Sequence, residues 1–417
     1  MLRSMKALGL KNTKSRRAKM RNLRVAHIAA TLYGSYELRT RESTRARHAE
    51  AMNSVRRAFD AARRRAGRMD TRANKEPPMT EQTQNITQSQ PAPERPTQDQ
   101  TESFQAKRHS KPLLTIGQQI AHMKAKGIAF ELCSEEEAAS HLRTKCQFFR
   151  VYAYRKLFPK HVGGPRDGQY VNLDFGHLKT PSNLDRMLRD VLLPMTLDVE
   201  HFAKVRLLAA AEDHGEDGYA LMLDYYESRS EEQRSYIESE LDRRMKDPYV
   251  GAVVRKYRYD MPVWAFCEVV PFGMFSGLVK FCADRWEDED LQDVHYLLKY
   301  TRSVRNATAH GACGVNGLTD ADPRMRPPAS LVNALTSTEV PKRLRAKWLR
   351  GTRMVQMCAM LHLYAQIVPA GEARAERERH LTSLFAAVRS SDVPVENPAV
   401  AALLFIERLT KAVGLLQ

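Results

Sequence analysis

From Ile116 to Leu415 the apolar residues keep returning at helical spacing, and almost nothing alternates in and out as a strand does. Ile116, Ile120 and Met123 stand at i, i+4 and i+7. Leu184, Leu188, Val191, Leu192 and Met195 make a second stripe, and Val294, Leu297, Leu298, Thr301 and Val304 a third. A chain patterned this way has to bury helix faces against one another, so the expected fold is all-α. The punctuation agrees: Thr115 with Gln118 and Ser134 with Glu137 read as capping boxes, and Gly127 as a helix stop. Helices are expected from Ser134 toward Phe158, over 182–213, 219–246, 262–283 and 290–310, and through 328–417, where Met354–Ile367 and Ala399–Leu415 carry apolar stripes. Pro194 is expected to kink the helix that holds it. One stretch departs from the pattern. Gly163 to Phe175 is rich in turn residues and ends in Tyr170-Val-Asn-Leu-Asp-Phe175, a strand signal that predicts a small β-hairpin or an extended excursion. There is no internal repeat and no glycine-rich phosphate loop.

The chain has 417 residues and a formal charge of +17, which is unevenly placed. Residues 1–78 hold 21 Lys and Arg against 6 Asp and Glu; the other 339 hold 45 against 43. The basic character is therefore an N-terminal matter, and the body is near neutral. Three readings of residues 1–78 stay open: a basic arm that contacts phosphates, a transit peptide, or an extension ahead of a true start at Met79. Residues 79–110 contain seven Gln, three Pro and a single aromatic, Phe104, with no apolar period, and are expected to be a disordered linker. The ordered part is expected to run from 111 to 417 as one helical domain. Its most apolar stretch, Met354 to Ala370, is broken by Gln356, His362 and Gln366 and reads as a buried helix, so no membrane association is expected. The six cysteines form no C-x-x-C pair, which points away from disulfide and zinc frameworks and toward a cytoplasmic setting.

The richest chemistry lies in Arg305-Asn306-Ala-Thr-Ala-His310-Gly311, at the end of the third stripe. On a helix Asn306 and His310 share a face, while Arg305 sits about 140° from His310. An arginine can hold phosphate oxygens bidentately and balance charge that develops on them. An imidazole titrates near neutrality and can move protons. Spacing alone decides little: about one Arg-x4-His pair is expected by chance in a chain with 13 His, and this chain has one. A histidine in the last turn of a helix is favoured by the helix dipole in any case.

Five blocks, in order, resemble the Abi family of bacterial abortive-infection proteins, the Abi-D/Abi-F-like group whose helical domain belongs to the HEPN superfamily. They are Lys111-Pro-Leu-Leu-Thr-Ile-Gly-Gln-Gln-Ile120 continuing to Lys126-Gly-Ile128; Phe148-Phe-Arg-Val-Tyr-Ala-Tyr154; Asp198-Val-Glu200 with Lys204; Met261-Pro-Val-Trp-Ala-Phe-Cys-Glu268 leading to Phe272-Gly273; and Arg305-Asn306-Ala-Thr-Ala309-His310 with Asn316. The chain departs from the family at Gly311, where a second histidine is frequent, and at Val315, where tryptophan is usual. The resemblance implies a HEPN-like helical bundle and a metal-independent endoribonuclease in phage defence. Arg305 and His310 would be catalytic, Asn306 would orient the site, and two protomers of a homodimer would complete it, acting on RNA with no cofactor and no metal. A non-catalytic HEPN module that binds RNA or a protein partner is the alternative. Of the other polar and aromatic candidates, Trp264 and Phe266 read as core packing rather than base-stacking groups. Glu200 and Glu268 read as structural ion pairs rather than partners of Arg305, and Arg150 and Lys204 as surface cations rather than RNA contacts. His214 and His295 lack ligand-like companions.

Overall fold

A computed structural model describes residues 112–416; the expectations for the basic extension and for the linker lie outside the described residues. In chain order the helices are α1 (Ile116–Ala125), α2 (Glu135–Thr144), α3 (Phe148–Ala153), α4 (Phe175–Asp213), α5 (Gly218–Glu227), α6 (Glu231–Arg244), α7 (Gly251–Tyr257), α8 (Val263–Val269), α9 (Phe272–Arg285), α10 (Glu289–Ala309), α11 (Ala329–Thr336), α12 (Lys342–Trp348), α13 (Thr352–Ile367), α14 (Glu372–Arg389) and α15 (Pro398–Ala412). The fold is all-α apart from two short strands, β1 (Ile128–Ala129) and β2 (Leu173–Asp174), and no described helix is long and apolar enough to cross a membrane. Both expected capping boxes form, Thr115 with Gln118 and Ser134 with Glu137. The region expected to be one helix over 262–283 is two, because Pro271 cannot continue α8 and instead stands at the N-cap of α9.

The excursion before α4 takes a definite form. Lys160 bridges to Tyr170, and β2 pairs in parallel with β1, Ile128 opposite Leu173 and Ala129 opposite Asp174. Asp174 then starts α4: its Oδ1 accepts from the Gly176 N–H at 2.7 Å, and its Oδ2 from the N–H of Glu131 at 2.6 Å. This cap sets the helix start at Phe175, seven residues before the expected one, and α4 runs on through Pro181 and Pro194.

The described residues divide into two compact units, 208–269 and the remainder. The smaller unit holds α5 to α8. In it Tyr225 and Phe266 are buried against each other, and the Trp264 ring lies over Gly218 so closely that a Cβ there would touch it. In the larger unit α10 packs against both α9 and α13. α13 is buried on nearly every side from Met354 to Tyr364, as a helix without a polar face has to be. α10 is buried on one side only, through Leu291, Val294, Leu297, Leu298, Thr301, Val304 and Thr308. Each fully buried leucine there contributes about 2 kcal/mol, which fixes the rotation of α10 about its axis. That rotation decides what Arg305, Asn306 and His310 face.

Candidate active site

α10 opens at Asp288, whose carboxylate accepts from the Leu291 N–H at 2.8 Å, and it ends at His310. The end is a Schellman turn: the Gly311 N–H reaches Thr308 O at 3.0 Å and the Ala312 N–H reaches Ala307 O at 2.8 Å. Gly311 takes the left-handed conformation that this turn needs, with φ +62°. The buried Thr308 hydroxyl donates back to Val304 O at 2.8 Å, so the last turn is closed from inside as well.

The three residues singled out from the sequence sit in that turn. Asn306 and His310 are exposed, and Arg305 is half-buried at the edge of the apolar stripe. The Arg305 side chain spans the angular gap: its Nη1 donates to Asn306 Oδ1 at 3.3 Å, while its Nε is buried without an acceptor. No hydrogen bond joins the His310 imidazole to either side chain, although its backbone N–H reaches Asn306 O at 3.0 Å. Arginine and amide are thus brought together, and the imidazole stands beside them on the open face.

The segment after the helix is held from several directions. Arg150, on α3, donates to the Gly311 carbonyl; Arg189, on α4, reaches Ala312 O at 3.4 Å; and Arg353, on α13, donates to the carbonyls of Cys313 and Asn316. Guanidinium groups on carbonyls at a helix C-terminus are favourable, since that end carries partial negative charge. Asn316 Nδ2 also donates to Ala153 O at 3.1 Å. Arg150 is therefore a clamp on the turn, a role its exposed position in the sequence pattern did not suggest.

At the centre of this clamp lies Asp185, with no exposed surface. Its Oδ1 accepts from the Gly314 N–H at 2.6 Å and the Val315 N–H at 3.0 Å. Its Oδ2 accepts from the Tyr154 hydroxyl at 2.7 Å and from Arg189, one helical turn along α4. A buried carboxylate is tolerated only when its charge is matched and its lone pairs are filled, and here both conditions hold. Burial works against the Arg189 charge, but Asp185 and Tyr154 outweigh it and raise its pKa. Burial, with Asp185 alongside, raises the Tyr154 phenol, and the same two causes raise the Cys313 thiol, which stays protonated and unreactive.

The sequence reading passed over Asp185. One signal was there: on an ideal helix it falls within about 20° of Leu192, so a carboxylate intrudes on an apolar stripe with an arginine four residues later. The other candidates resolve simply. Lys204 lies 3.6 Å from Glu200, Glu268 is exposed in the smaller unit, Phe266 is core, and His295 is buried with its Nδ1 2.8 Å from Ser276 O. Among the described residues no three His, Cys, Asp or Glu side chains gather where a metal ion could be held.

Residues 141–314, which include α3, Asp185 and the whole of α10, match the family model described as Abi-like protein. No curated protein and no solved structure matches the chain.

Proposed function

We propose, from the Abi-like region that the chain carries over residues 141–314, that it acts in abortive-infection phage defence as a metal-independent endoribonuclease of HEPN type, working through Arg305, Asn306 and His310. The observation that carries this reading is the end of α10, where a guanidinium tied to an amide at 3.3 Å stands beside an exposed imidazole on a turn clamped by Asp185 and Arg150. Rigid placement of that kind is what proton transfer and charge stabilisation at a phosphate need. In the proposed reaction a ribose 2′-hydroxyl gives up its proton and its oxygen attacks the adjacent phosphorus. The bond to the 5′-oxygen breaks, and that oxygen takes up a proton as it leaves, so the products are a 2′,3′-cyclic phosphate and a 5′-hydroxyl. His310 moves the protons, Arg305 neutralises the non-bridging oxygens, and Asn306 holds Arg305 in place.

Within one chain His310 makes no hydrogen bond to Arg305. This fits a site completed by a second protomer, and equally a non-catalytic RNA-binding module. Incubation of the full chain with mixed RNA in EDTA separates the two. Cleavage leaving cyclic-phosphate ends is expected, falling by about 10²–10⁴-fold in His310→Ala and in Arg305→Ala, with melting temperatures unchanged. Undiminished cleavage by His310→Ala, or none by the folded wild type, would overturn the catalytic reading and leave the binding module.

A further inference from the structure

Several cations of the described helices pair one turn away with a carboxylate. Arg186 meets Asp190, Lys204 meets Glu200, Lys280 meets Asp284 and Arg374 meets Glu378. The outward face of α10 carries no such pair. From Val294 to His310 there is no Asp or Glu, and neither Lys299 nor Arg302 lies in ion-pair reach of any carboxylate among the described residues. Tyr296, Lys299, Ser303, Asn306 and His310 succeed one another at i, i+3, i+7, i+10 and i+14, a single stripe opposite the buried one. Tyr296 is 45% exposed, with the Lys299 ammonium 4.9 Å from its ring centre. Arg302 flanks the stripe, and its guanidinium lies over Gly273, where a Cβ would come within 2.6 Å of it.

We propose that this face, from Tyr296 to His310, is the track on which a single-stranded RNA lies as it enters the Arg305–His310 site. The inference rests on the ribonuclease reading and adds the binding surface and the strandedness of the substrate. Unmatched cations on an acid-free face complement a polyanion. A second copy of the chain seated over the Tyr296–Arg302 part of this face would set Lys299 and Arg302 against themselves and is disfavoured there, whereas a second protomer that completes the site meets the His310 end. An aromatic ring beside a line of cations suits unpaired bases, which stack on it whatever their sequence, whereas a duplex keeps its bases inside. At 1.5 Å per residue the track is about 21 Å long, enough for several nucleotides. It ends at the imidazole, so bound RNA is delivered to the reacting groups.

The test uses the full chain and a short fluorescent RNA carrying 2′-O-methyl groups throughout, which cannot be cleaved, read by anisotropy across a range of salt. The double variant Lys299→Ala/Arg302→Ala is expected to bind at least tenfold more weakly, with a log–log salt slope shallower by about 1.4. Tyr296→Ala is expected to weaken binding roughly tenfold with the slope unchanged, and the same RNA annealed to its complement is expected to bind less well than the single strand. All three side chains are exposed, and unchanged melting temperatures verify the fold. Unaltered affinity and slope in the double variant, equal binding of the duplex, or a change of oligomeric state in the variants would overturn the proposal. Unmodified RNA keeps the two readings apart. Loss of binding in the variants of a chain that never cleaves keeps the track and discards the catalysis. Cleavage with unchanged KM in the variants keeps the catalysis and discards the track.

Discussion

At the scale of single residues, the end of α10 depends on groups buried behind it. Replacing Asp185 by Ala would strand a tyrosine hydroxyl, two backbone N–H groups and the Arg189 guanidinium, all buried or half-buried. A loss of about 3–5 kcal/mol is expected in urea unfolding. Asp185→Asn keeps an acceptor for Gly314 and Val315 and should lose less, about 1–3 kcal/mol. Gly311 answers to two constraints at once. Its φ of +62° disfavours any side chain, and a Cβ would lie 2.7 Å from the Arg150 guanidinium that holds its own carbonyl. Gly311→Ala is therefore expected to cost about 1–2 kcal/mol and to lower the proposed RNA cleavage more than stability explains, because the turn positions His310. Arg305, Asn306 and His310 were legible in the sequence, since their places follow from one helix and its apolar stripe. Asp185 was nearly illegible, because apart from Arg189 its partners lie 31 residues away in one direction and about 129 in the other. No local pattern encodes such a meeting.

At the scale of elements, the pairing of α9 with α10 carries a pH dependence. His295 is buried between them, with its ring nitrogen against Ser276 O, and burial lowers its pKa to about 4. The unfolded chain titrates this histidine near 6.5, so it takes up a proton before the folded chain does. The folded state is thus fully stable above about pH 6.5, loses stability as pH falls from there toward 4, and gains no further penalty from this group below 4. Burial lowers His362 and His141 in the same direction. Unfolding free energies from urea measured at pH 7 and pH 5 should differ by about 2 kcal/mol from His295, and His295→Gln should flatten that difference. The elements themselves were readable to the extent that their causes are local. Capping boxes and apolar periods placed α1, α10 and α13 nearly to the residue, and the start of α2, whose expected run toward Phe158 breaks instead after Thr144. The early start of α4 was missed because Asp174 caps it only while β2 lies against β1, a pairing between positions 128 and 173 that rests on two residues a side.

At the scale of the whole chain, charge separates two ways of meeting nucleic acid. Residues 1–78 carry a net +15, whereas the rest carries +2, so any long-ranged attraction for a polyanion would come from the first 78 residues, and the proposed attraction near the site from a few side chains on α10. These contributions scale differently with salt. Each phosphate neutralised on a single strand adds about 0.7 to the slope of log affinity against log salt. A chain beginning at Met79 should therefore bind RNA with a markedly shallower slope than the full chain at low ionic strength. The two should converge near physiological salt, where screening removes the diffuse part first. Against either background, Lys299→Ala/Arg302→Ala should subtract the same increment of about 1.4, since the α10 face does not depend on the extension. An increment that disappears when residues 1–78 are removed would mean that the basic extension, rather than α10, supplies the contacts credited to the helix.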